Sequence, residues 1–138
     1  MSSRSLRSIL LILIFICSLS CNITSPPPGE DKIIGRWSWL ESCCGFGGDL
    51  RTPENTGHKI EIRFTSSNNY YQYDDGLLKR DTYYGISRKI VWGEEESVVL
   101  KIENDSPEMV IQFNSADTLI LTDTCIDCYR HLYVRIGK

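Results

Sequence analysis

Past Gly29 the apolar residues recur at every second position in short segments broken by turn-forming residues, the period of a strand rather than of a helix. Trp37 and Trp39 share one face of a first strand. Ile60, Ile62 and Phe64 share one face of the next, with Lys59, Glu61 and Arg63 opposite, as in an antiparallel sheet with one wet side. Asn68-Asn69 opens a third run. Asp75-Gly76, between Tyr71-Gln72-Tyr73 and Leu77-Leu78, predicts a two-residue type I′ hairpin, whose central positions both need positive φ. Further strands are expected from Lys79 to Ser87, Lys89 to Trp92, Val98 to Ile102, Met109 to Phe113, Thr118 to Leu121 and Arg130 to Ile136. Gly93-Glu94, Asn104-Asp105 and Ala116-Asp117 punctuate them. The expected fold is all-β, an antiparallel up-and-down β-barrel of about eight to nine strands, because closure removes both free edges of a long meander. Alternation assigns Trp39, Ile60, Ile62, Phe64, Tyr71, Tyr73, Tyr84, Ile86, Leu100, Ile111, Phe113 and Tyr133 to the interior, as core filling or as the wall of an aromatic cup.

Before Gly29 the pattern is of another kind. Arg4 and Arg7 precede nine unbroken apolar residues, Ile9 to Cys17, and Ser18-Leu19-Ser20 leads to Cys21. Nine apolar residues fall short of the roughly 20 that span a bilayer core, so residues 1–20 read as a lipoprotein signal peptide and Cys21 as the lipidated first residue of the mature chain. The alternative is an ordinary secreted chain cut near Ser20, with Cys21 left as a free thiol. Residues 21–29 hold Pro26-Pro27-Pro28 and read as a tether of roughly 20 to 30 Å, at ~3.1 Å per residue. Residues 30–138 form the domain. The expected location is the cell envelope, lipid-anchored at the outer membrane, with the membrane reached through the N-terminal lipid.

Removing residues 1–20 takes Arg4 and Arg7 from the 15 basic residues, leaving 13 against 18 acidic ones, a net charge of −5. That balance excludes a nucleic-acid partner and electrostatic docking on anionic lipid. The dense run Glu94-Glu95-Glu96 reads as a solvated hairpin tip.

Ile34-Gly35-Arg36-Trp37 at the start of the first strand resembles the Gly-x-Trp opening of lipocalins. The last strand carries Arg135, which that resemblance would lay over Trp37 to close one end of the barrel. The order of Gly-x-Trp, a Gly/Cys-rich loop, Thr52-Pro53-x-x-x-Gly57, Phe64, Tyr84-x-Ile86, Leu119 to Asp123 and Tyr133-x-Arg135 is similar to the small lipocalin-like lipoproteins common in Bacteroidetes. The resemblance spans about Lys32 to Ile136. It implies a calycin-type barrel and a small hydrophobic ligand.

Four cysteines remain in the domain, Cys43-Cys44 and Cys125-x-x-Cys128. Neighbouring first and last strands would bring the two clusters together, so at least one disulfide is expected between them, worth about 4 to 5 kcal/mol for a loop of roughly 80 residues. Vicinal Cys43-Cys44 pairing is the least expected, since adjacent side chains on extended backbone point apart. A four-thiolate zinc site is the rival, weakened by a Cys-Cys pair with no spacer; neither a metal nor a cofactor is expected.

For catalysis the inventory is thin. His58 and His131 have no serine or cysteine nucleophile beside them in a recognisable elbow, and there is no His-x-x-x-His pair or Gly-rich phosphate loop. Asp123 and Asp127 are placed to pair with His131 or a cation. The chain is therefore expected to be non-enzymatic. Three readings of function follow: a barrel for a small hydrophobic ligand, an interaction or hydrolase-inhibitor lipoprotein using the loop Gly45 to Asp49, and a structural lipoprotein. The protein partner stays open in the second. Phe46 in that loop is expected to tuck into the barrel mouth as a lid, the alternative being a flexible recognition tip.

Overall fold

The computed structural model describes residues 30–93, 95–105 and 107–138. The expected signal peptide, Cys21 and the tether lie outside the described residues. A single helical turn, α1 (Glu30–Ile33), precedes β1 (Gly35–Cys43), and a second turn, α2 (Pro53–Thr56), precedes β2 (Ile60–Phe64). Then come β3 (Asn69–Asp74), β4 (Leu77–Ile90), β5 (Glu96–Ile102), β6 (Met109–Ser115), β7 (Thr118–Asp123) and β8 (Arg130–Gly137). Each strand pairs antiparallel with its sequence neighbours and β1 pairs with β8, so the eight strands form a closed ring. Among the described residues no helix is long and apolar enough to cross a membrane.

The count is eight because two expected strands are one. Ser87, Arg88 and Lys89 pair without a break with Val99, Val98 and Ser97, and no turn-forming residue interrupts β4 there. Its first half pairs with β3 and its second half with β5. Trp92 lies past its end and is exposed. The β3–β4 hairpin turns at Asp75 and Gly76, with φ of 50° and 79°, the signs a type I′ turn requires.

One end of the ring is sealed. Trp37 is wholly buried, and its indole Nε1 donates to Ile33 O at 2.8 Å, which pins α1 across the opening. The Arg135 guanidinium lies 4.0 Å from the Trp37 ring centroid. It also donates to the carbonyls of Ile34 at 2.8 Å and Lys32 at 2.6 Å, so one side chain ties the lead-in segment, β1 and β8 together. Gly35 is required here: a Cβ on it would come within 2.5 Å of Arg135 Nη1 and 2.7 Å of Gly137 O, and its φ is 137°. The glycine of Gly-x-Trp therefore makes room for the arginine. Above this floor Ile62, Phe64, Leu100 and Leu119 fill the ring, with Phe64 edge-on to Tyr84 at 5.0 Å.

Truncating this stack should cost what a filled core site costs. Trp37→Ala is expected to lose about 3 to 5 kcal/mol in urea unfolding, and Arg135→Met about 1 to 3 kcal/mol through the lost cation–π contact and charged hydrogen bonds. An Arg135→Met midpoint equal to that of the parent chain would show that the stack does not close the ring.

Candidate functional site

At the other end of the ring the interior opens into a cavity of about 480 Å³. Its apolar wall includes Trp39, Ile60, Ile102, Met109, Leu121 and Tyr133, and its mouth is polar. Of the twelve residues assigned to the interior, Trp39, Ile60 and Tyr133 line this cup. Ile62, Phe64, Tyr84, Leu100 and Ile111 belong to the solid core below it, and Ile86 and Phe113 pack partly buried against that core.

Tyr71 and Tyr73 do not face the interior, contrary to expectation. Tyr70 is the buried residue of β3, and Tyr70, Gln72 and Asp74 line the cup, so Tyr71 and Tyr73 lie on the outer face. A strand with polar residues facing a wet cavity defeats the rule that the more apolar set faces in. The Tyr70 hydroxyl donates to Gln72 Oε1 at 3.1 Å. Burial pushes the phenols of Tyr70 and Tyr133 well above the ordinary tyrosine value, so both stay protonated donors.

The mouth is built by short, well-tied loops. In α2 the Thr52 side chain accepts from Asn55 N, and the Asn55 side chain accepts from Thr52 N at 2.9 Å. Gly57 ends the turn at φ 73°, which accounts for the spacing Thr52-Pro53 to Gly57. Thr56 and His58 reach the cup from this turn. His58 Nδ1 lies 3.1 Å from Asp74 Oδ1 and 3.6 Å from Asp75 Oδ2 on the rim.

The cysteine expectation is overturned. Cys43 is bonded to Cys44 and Cys125 to Cys128, so both bridges are local and neither joins the clusters. The clusters are neighbours, since Cys43 pairs with Arg130 in the β1–β8 register. The backbone is not extended at the bridges: Cys44 has φ 73° just past the strand, and Asp127 at φ 58° turns the second loop back on itself. Between the loops stands the Tyr129 ring, against which a Cβ on Gly45 would come within 2.6 Å. Loops this short confer at most about 2 kcal/mol on the chain-entropy model, against 4 to 5 for the expected long one. A bonded sulfur has no thiolate to offer zinc. Phe46 is not a lid: it is 87% exposed, and Ile126 on the neighbouring loop is 92% exposed.

Alternation also passed over Ser42. The β1–β8 register slips between Trp39 and Glu41, so Leu40 is an extra residue that moves the inward face from Trp37 and Trp39 to Ser42. Ser42 is buried, and its Oγ accepts from Trp39 Nε1 at 2.9 Å and lies 2.7 Å from His131 Nδ1. His131 Nε2 lies 3.5 Å from Asp123 Oδ1. Of the two acids expected near His131, Asp123 is therefore the one in contact. On the far side of Ser42, Arg51 is its antiparallel bridge partner, through Ser42 N to Arg51 O and Arg51 N to Ser42 O, both 2.8 Å. The Arg51 guanidinium stacks 4.6 Å from the Tyr129 centroid, with no carboxylate within 4.0 Å among the described residues. Nothing in periodicity signals a bulge. Ile102, Met109 and Leu121, by contrast, continue the alternation of Leu100, Ile111 and Leu119 and were open to reading. In comparisons with known proteins the chain matches no family model, no curated protein and no solved structure.

Proposed function

We propose that the ring is a lipocalin-like barrel that takes one small hydrophobic ligand into its cup, and that a lipid on Cys21 holds it at the cell envelope. The observation that carries this reading is the asymmetry of the interior. At one end Trp37 and Arg135 close the interior beneath a surface groove lined by Lys32, Phe113 and Asp117, while the other end opens into an apolar-walled cavity of about 480 Å³, the size that small ligands occupy. Polar groups at its mouth would orient a ligand whose apolar part lies against Ile60, Met109 and Leu121.

Native mass spectrometry of the full chain, released from detergent after purification from its own host, tests the cup. One small-molecule adduct per chain is expected, reduced at least about tenfold in occupancy by Met109→Trp, which fills the cavity. A bare protein mass, or an adduct indifferent to Met109→Trp, contradicts the reading. A partner protein gripping the exposed tips Phe46 and Ile126 is the rival, and it predicts a protein-sized mass lost in Phe46→Ser and kept in Met109→Trp. For the anchor, Cys21→Ser should move the chain from the membrane to the soluble fraction; unchanged membrane association would overturn it.

A further inference from the structure

We propose that the cup is a hydrolytic site for carboxylic esters of short apolar acyl groups, with Ser42 Oγ as nucleophile and His131 Nδ1 as its general base. The inference rests on the cup being a ligand pocket and adds a reaction to it.

The hydrogen-bond order follows from the partners. An indole N–H only donates, so Ser42 Oγ is the acceptor from Trp39 Nε1 at 2.9 Å. The Asp123 carboxylate at 3.5 Å demands a proton on the facing His131 Nε2, since a lone pair there would meet a negative oxygen. The neutral imidazole then bears its lone pair on Nδ1, 2.7 Å from Ser42 Oγ, and the hydroxyl hydrogen points at it. This is a hydroxyl, imidazole and carboxylate chain in the order that activates a serine, with the two ring nitrogens in exchanged roles relative to the common arrangement. Asp123 acts through the imidazole and is a positioning residue.

The three groups come from the ends of β1, β7 and β8, and the register makes their meeting a property of closure. Ser42 and His131 are directly paired across β1 and β8, with side chains on one face. Arg51 is paired with Ser42 on its other side, so its side chain leaves the backbone on that face, and it lines the cup. The Ser42 backbone N–H is already committed to Arg51 O. The charge that develops on an ester's carbonyl oxygen is thus met by the Arg51 side chain, a cation held in place by Tyr129 with no carboxylate partner among the described residues.

The reaction balances without a further reagent besides water. Ser42 Oγ bonds to the carbonyl carbon while its proton passes to His131 Nδ1. The bond to the alcohol oxygen breaks, and His131 returns that proton to the departing alcohol. Water, deprotonated by the same nitrogen, then adds to the acyl-serine and releases the carboxylic acid and free Ser42. The acyl chain lies against Ile60, Met109 and Leu121.

The test is hydrolysis of p-nitrophenyl butyrate by the full chain in non-ionic detergent, together with mass mapping after treatment with an alkyl fluorophosphonate. Turnover at least about 100-fold above buffer is expected, and Ser42→Ala or His131→Ala should remove about 100-fold or more. Asp123→Asn should lower kcat about tenfold or more with KM within about twofold, and Arg51→Met should lower kcat by about 100-fold. The phosphonyl mass should appear on the peptide holding Ser42 in the parent chain, a readout that stands even where a variant fails to fold. A chain that neither turns over nor takes the label, or takes it elsewhere, overturns the proposal. If the small-molecule adduct persists in that chain, the binding cup survives without the chemistry; if the adduct is also missing, the cup itself has failed.

Discussion

The structure depends on one contact between the two ends of the domain, the stacking of Arg135 over Trp37. Without the β1–β8 pairing that this stack clamps at one end, the two strands would be the free edges of an eight-strand meander, each with a row of unpaired backbone groups open to association. With it the sheet has no edge. The same guanidinium caps the carbonyls of Lys32 and Ile34, so α1 is drawn over the opening and Ile33 is buried beneath. Gly35 is the steric condition for this, because any side chain there would occupy the volume the guanidinium needs.

Sealing one end leaves the other to differ from it. The large side chains Trp37, Phe64, Leu100 and Leu119 fill the sealed half, and the interior then turns polar toward the open mouth as Gln72, Asp74, Asp123 and His131 replace apolar residues. Closure also assembles the row Arg51, Ser42, His131, since Ser42 faces His131 only where the first strand meets the last. The floor and the mouth are two consequences of one seam. The two short disulfides and the α2 turn hold the loops around that mouth rather than the ring itself.

Much of the frame was legible because its signals are local and repeat. Period two marked nearly every strand, Asp75-Gly76 marked its hairpin, and Trp37 and Arg135 stood at the two ends that meet. The failures share a cause. Tyr71 and Tyr73 outrank Gln72 and Asp74 in apolarity, yet a cavity open to water reverses which face is inward. Leu40 is one residue too many for its ladder, and a bulge is invisible to any period, so alternation does not place Ser42 beside His131 and Asp123. The polar run Ser87-Arg88-Lys89 breaks the alternation within β4 although no turn lies there. The cysteines misled because loop-closure entropy favours long bridges, whereas positive φ at Cys44 and Asp127 makes the short ones reachable.

The seam can be observed in solution. In an isotope-labelled sample nuclear Overhauser contacts are expected between the Trp37 indole and the Arg135 side chain, whose guanidinium carbon lies 4.0 Å from the ring centroid and whose protons should be shifted upfield by that ring. Arg135 protons at ordinary exposed-chain shifts, with no contact to Trp37, would contradict closure of the ring and with it the cup, the row at its mouth and the role given to Gly35.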